Sequence, residues 1–106
     1  MAWGLIILAG LFEVAWAVGL KYMADAIRFW PSVATGVALV ASLALLAMSL
    51  RTLPLGTAYA VWTGIGTVGT AIVGIVYFRE PATAMRLVCM TLIVAGIVGL
   101  KLSAPR

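Results

Sequence analysis

Residues 2–20 read AWGLIILAGLFEVAWAVGL, an apolar run broken only by the charge of Glu13, and this stretch decides the fold. A helix crossing the hydrocarbon of a bilayer needs about 20 mostly apolar residues. The run has that length, and no Lys or Arg precedes it. It is also longer than the apolar core of a cleaved leader, so it reads as a first membrane span.

Working outward, the same pattern recurs three times. Lys21 to Phe29 is a short polar connection containing Asp25 and Arg28, and Trp30 to Leu50 is a second apolar run. Pro31 suits the first turn of that helix, where the missing N–H has no intrahelical partner anyway. Arg51 to Gly56, with Pro54, turns the chain. Thr57 to Phe78 is the third run, Arg79-Glu80-Pro81 the next turn, and Ala82 to Leu100 the fourth run, followed by Lys101 to Arg106. The expected architecture is all-α, one transmembrane domain over residues 1–106 with spans at about 2–20, 30–50, 57–78 and 82–100.

Composition agrees. Of 106 residues, 65% are hydrophobic and 9% charged, whereas a soluble domain is about a quarter charged. The seven Lys and Arg against three acidic residues are scattered singly at the edges of apolar runs. That placement suits anchoring to phospholipid headgroups and gives no basic patch for nucleic acid. Arg86 and Lys101, at the ends of the fourth run, read as snorkelling side chains. Asp25 and Glu80 fall in connections, where a solvated or capping role is expected. The chain has no His and one Cys. It therefore offers no imidazole base, no disulfide and no metal site, and neither a metal nor another cofactor is expected. Cys89, inside an apolar run, reads as a small buried hydrophobe.

Glu13 is the exception that calls for a function. It lies about 3 Å past the midpoint of its span. A charge at that depth costs roughly 2.5–3.5 kcal/mol on insertion scales, and no Lys or Arg in the span offsets it. Two things can neutralise such a carboxylate: a proton, or a cation arriving from outside. If each excludes the other, the site exchanges them, which is the logic of a proton-coupled cation antiporter rather than of an enzyme. The plainer alternative is a hydrogen bond that fixes helix register. Gly10 and Trp16 flank Glu13 at i−3 and i+3 and share its face with Ala17.

The second span carries Thr35, Ser42 and Ser49 at intervals of seven. Hydroxyls in membrane helices usually bond their own backbone; Ser42, near mid-span, is the one placed to meet Glu13. The third span carries Tyr59, Trp62 and Thr63. Tyr59 also fits an interfacial aromatic belt, whereas Trp62 lies deeper, beside Gly64 and Gly66, which permit close packing or a bend. Aromatic faces, a carboxylate and hydroxyls together suit a desolvated cation. A planar guanidinium gains further from the two carboxylate oxygens.

Four helices with one glutamate are too few to enclose a pathway alone. Thr91, Ala95 and Gly99, continued by Ser103, form a small-residue stripe on the fourth span. Such a stripe serves helix association, either between two copies or within one. Arg51, Lys101 and Arg106 lie on the side of the termini; Lys21, Arg28 and Arg79, with Arg86, lie opposite. That near balance gives the chain little preference for one orientation. Two opposed copies would make an inverted repeat around a midplane site. The expected assembly is an antiparallel, dual-topology homodimer.

The stretch Gly10-Leu11-Phe12-Glu13-Val14 leading to Lys21, together with Gly56-Thr57-Ala58-Tyr59-Ala60-Val61-Trp62-Thr63-Gly64-Ile65-Gly66, resembles the small multidrug resistance family over essentially the whole chain. Glu13-Val14-Ala15-Trp16-Ala17 and Trp62-Thr63-Gly64 look like its guanidinium-exporter subtype. What the resemblance implies is a proton/guanidinium antiporter of a bacterial inner membrane, working as an antiparallel dimer by alternating access. It implies that Glu13 binds substrate and protons, that Gly10, Trp16, Ser42 and Trp62 line or brace the site, that Tyr59 contacts Glu13 or gates it, and that Gly64-Ile65-Gly66 is a flexible point. Two alternatives stand beside it. One is a broad quaternary-ammonium exporter, against which Trp16 argues by filling space beside Glu13. The other is a non-transporting subunit of a larger membrane complex, which would need one fixed orientation.

Overall fold

The computed structural model describes residues 2–24 and 26–103; Asp25 of the first connection and Arg106 of the tail lie outside the described residues. Four helices follow one another: α1 (Ala2–Tyr22), α2 (Phe29–Ser49), α3 (Leu55–Val76) and α4 (Ala84–Ser103). Each is long and apolar enough to cross a membrane, and there is no strand among the described residues. At 1.5 Å per residue, each helix is about 30–33 Å long, the thickness of the hydrocarbon core.

The helix ends lie within three residues of the expected spans, and local chemistry explains the shifted starts of α3 and α4. The Pro54 carbonyl accepts the Ala58 N–H at 2.9 Å, so α3 starts at Leu55 rather than Thr57. Thr83 Oγ1 accepts the Arg86 N–H at 3.2 Å. That is an N-cap bond, and it starts α4 at Ala84, after Pro81. At the end of α3, Arg79 takes φ 58°, and the reversal brings the Glu80 N–H within 3.0 Å of the Gly74 carbonyl. Left-handed backbone costs a residue with a Cβ roughly 1–2 kcal/mol, so this turn is strained where a glycine would be at ease.

Helix α1 packs most extensively on α2 and next on α3, while α4 packs chiefly on α3, with Lys101 reaching the Trp3 ring of α1. The result is a slab of 45 × 34 × 16 Å. Ile6, Ala9, Leu53, Ala58, Val61 and Trp62 form its small core. The accessible surface is 6865 Å², where a compact soluble chain of 11.1 kDa would expose about 5,700 Å². Many large hydrophobic side chains are exposed, which suits lipid, where close packing of small residues takes the place of the hydrophobic effect between helices.

Two seams show this. A Cβ on Gly10 of α1 would stand 2.7 Å from Ile65 of α3, and one on Gly64 would stand 2.8 Å from Ile97 of α4. Cys89 is exposed on α4, contrary to the buried position expected of it. A helix bordered by lipid can be apolar all round, so an apolar run does not say which residues face inward.

Candidate functional site

The regular turn of α1 brings Gly10, Glu13 and Trp16 to one face. Each meets a different surrounding. Gly10 is buried against Ile65. The Glu13 carboxylate rests on the backbone of Gly66 in α3, in space that any larger residue would occupy. Its Oε1 is buried and has no hydrogen-bond partner among the described residues, and the same is true of Trp16 Nε1. Buried polar atoms are nearly always paired, and leaving one unpaired costs about 1–3 kcal/mol. A buried acceptor and a buried donor, both unpartnered and one helical turn apart, make this the site's distinctive feature.

A second cluster binds the three inner helices together. Ser42 of α2, fully buried, donates to the Ala9 carbonyl of α1 at 2.7 Å. It accepts in turn from Trp62 Nε1 of α3 at 2.9 Å. A serine hydroxyl has one hydrogen to give, and here it goes to Ala9. Ser42 is therefore placed beside Trp62, and it makes no hydrogen bond to Glu13. Tyr59 stacks at a tilt on Trp62, with ring centroids 5.6 Å apart, and is itself largely exposed. Thr63 spends its hydrogen on the Tyr59 carbonyl at 2.7 Å, which leaves its oxygen lone pairs free.

Helix α3 continues unbroken through Gly64-Ile65-Gly66. In this conformation both glycines make space, Gly64 for α4 and Gly66 for the carboxylate. Thr91, Ala95 and Gly99 are exposed on α4, and a Cβ on Gly99 would meet nothing within 4 Å. The α4 side of the α3–α4 contact is made by Ile93 and Ile97 instead, so the small-residue stripe is not used within the protomer. Ser49, as expected of a lone hydroxyl, bonds its own helix at the Leu46 carbonyl.

Sequence reasoning missed two parts of this arrangement. The Ala9 carbonyl is a backbone group and leaves no side-chain signal. Gly66 had a signal, which read as close packing or a bend, but not as the seat of a carboxylate. A cavity of about 640 Å³ between α1, α2 and α3 is lined by Ala15, Val18, Tyr22, Thr35, Ile72 and Phe78 among others, without Glu13. Among the described residues no group of His, Cys, Asp and Glu could hold a metal.

The sequence matches the family model described as Small Multidrug Resistance protein over residues 1–93. It is 59% identical to the "Guanidinium exporter" of Escherichia coli O6:H1, over 97% of this chain and 98% of that one. It is 58% identical to the protein of the same name from E. coli K12, with the same coverage. To the "Guanidinium exporter" of Salmonella typhimurium it is 57% identical, over 98% of this chain and 99% of the relative.

Proposed function

Since the chain belongs to the small multidrug resistance family, and is thus a multi-pass inner-membrane transport protein rather than an enzyme, we propose that it exports guanidinium in exchange for protons. The observation that carries the proposal is the Glu13 carboxylate: mid-span, seated on Gly66, with a buried oxygen that no donor among the described residues satisfies.

A proton satisfies that oxygen by converting it to a hydroxyl. A guanidinium satisfies it by donating N–H bonds in a plane that matches the carboxylate. The two neutralise the same charge, so each displaces the other, and net exchange follows the steeper gradient. Trp16, beside Glu13, adds an aromatic face to which a planar cation is attracted, by up to about 2 kcal/mol where water is excluded. It also restricts the room for bulkier cations. Ser42, bonded to Trp62 and Ala9, holds α1, α2 and α3 at the level of the site. Tyr59, stacked on Trp62, gates the site in this reading, with Thr63 one turn further along α3.

The transporting unit is an antiparallel homodimer with both Glu13 side chains in one central site. The near-balanced Lys and Arg and the unused stripe at Thr91, Ala95 and Gly99 support it. Exchange of the two opposed copies between inward- and outward-open forms supplies alternating access, with Gly64 and Gly66 absorbing the change in α3.

Purified protein reconstituted alone in liposomes tests this. A guanidinium gradient should drive an opposing proton flux, and an equal tetraphenylphosphonium gradient should drive far less. Absence of coupled flux, or preference for the bulky aromatic cation, contradicts the proposal.

A further inference from the structure

The chain carries a guanidinium of its own, and it is already bound. Arg86, near the start of α4, donates from Nη1 to the Pro81 carbonyl at 2.7 Å. Its Nη2 lies 3.6 Å from Glu80 Oε1. The expected snorkelling side chain is thus folded back onto the α3–α4 turn. The Glu80 carboxylate, in turn, lies against Gly74 near the end of α3, where a Cβ would displace it.

These groups border a cavity of about 380 Å³ that is also lined by Ala17, Lys21, Thr67 and Thr70. One of its lining residues is bonded to the helix segment that seats Glu13. Thr70 Oγ1 donates to the carbonyl of Gly66 at 2.8 Å, and Gly66 is the residue on which Glu13 rests. Ala17 lies one turn from Glu13 on α1. Thr67 gives its hydrogen to the Thr63 carbonyl at 2.7 Å, so both threonines turn only lone pairs to other ligands. That stretch of the wall accepts hydrogen bonds, and the donors of the cavity, Lys21 and Arg86, stand at its mouth.

Electrostatics at the mouth also call for a cation. The C-terminus of α3 carries about half a negative charge from its free carbonyls, and Glu80 adds a full one beside it. Arg86 compensates both from a pair whose side chains are 35% and 39% exposed, which is weak and easily exchanged. Lys21 lines the same cavity, with its ammonium 5.9 Å from the centre of the Phe78 ring. A second cation therefore enters only by taking the place of Arg86 on Glu80.

We propose that Glu80 is a second, peripheral guanidinium-binding carboxylate, closed in this structure by the guanidinium of Arg86, at the mouth of a cavity whose wall includes Thr70, the residue bonded to Gly66 beneath Glu13. Free guanidinium displaces Arg86, which then swings towards the headgroups. The inference rests on the reading of guanidinium as cargo. In an antiparallel dimer it places one such site on each side of the membrane.

Guanidinium transport by the purified protein in liposomes tests it. Glu80→Gln should raise KM about two- to fivefold, the range that an exposed ion pair supports, with the maximal rate kept. Arg86→Gln, which frees Glu80, should lower KM by a similar factor. An ion pair that only braces the turn would move KM in the same direction in both variants. That result, or an unchanged KM in both, overturns the peripheral site.

A binding measurement separates this from the cargo assignment. In Glu13→Gln protein, the resonance of 13C-labelled guanidinium should still broaden, and in the Glu13→Gln/Glu80→Gln double variant it should not. Equal broadening in the two overturns the peripheral site even where transport is intact. Absence of guanidinium flux by the wild type contradicts the proposed function, and the binding comparison then still decides the role of Glu80.

Discussion

Glu13→Gln is expected to abolish coupled exchange while leaving the helices assembled. The substitution keeps the size of the side chain and removes the site's carboxylate, so the proposed proton carrier is lost. It also removes the charge from the hydrogen bonds that a guanidinium would make. Such bonds contribute about 1.5–3 kcal/mol each, so binding at the central site should fall by about ten- to a hundredfold or more. The fold should not suffer, because an amide at mid-bilayer is easier to desolvate than a carboxylate. Proton flux driven by guanidinium in liposomes gives the first readout, and unfolding in mixed micelles gives the second. A side chain that merely fixed helix register through a hydrogen bond would work as well as Gln, so a variant with wild-type flux excludes the role given to Glu13.

The second large effect is expected at Gly66. An added Cβ would overlap the Glu13 carboxylate itself and stand 3.0 Å from its Cγ. The clash involves the acid group and its stem together, so the carboxylate must leave its seat. Displacement of a binding group by about 1 Å can cost on the order of a hundredfold in rate, and Gly66→Ala should lose guanidinium flux on that scale. Gly4→Ala, whose Cβ would meet nothing within 4 Å, should transport as the wild type does. Retained flux in Gly66→Ala would show that the carboxylate need not rest there. The two variants together separate the loss of one particular space from the general stiffening of a helix when glycine is replaced.

Much of this protein was legible because lipid imposes a coarse rule. Every backbone polar group in the bilayer must be satisfied internally, so an apolar run near 20 residues has to be a helix. Glu13 stood out for the same reason, as a charge in a medium that penalises it. What stayed hidden depends on which way each helix faces. In water, the polar side of a helix marks its exposed face; in lipid, both sides are apolar. Cys89 was therefore expected inside and is outside.

The partner of Ser42 stayed hidden for a different reason. Position along the membrane placed it level with Glu13, but its single hydrogen goes to the Ala9 carbonyl, a group identical in every residue. Gly66 illustrates a third limit. Glycine in a membrane helix marks either a bend or a close approach, and only the packed structure shows the carboxylate that fills the space. Arg86 and Glu80 lie six residues apart across a turn, and it took the left-handed Arg79 to fold one back on the other.

The central claim is that a proton and a guanidinium compete for one carboxylate, and proton release on binding tests it most directly. Guanidinium added to the wild-type protein in weakly buffered micelles should expel protons wherever Glu13 is protonated beforehand. Its apparent affinity should weaken steadily as the pH falls through that range, and Glu13→Gln should release none. Binding of constant affinity across that range, with no proton released, would contradict the account.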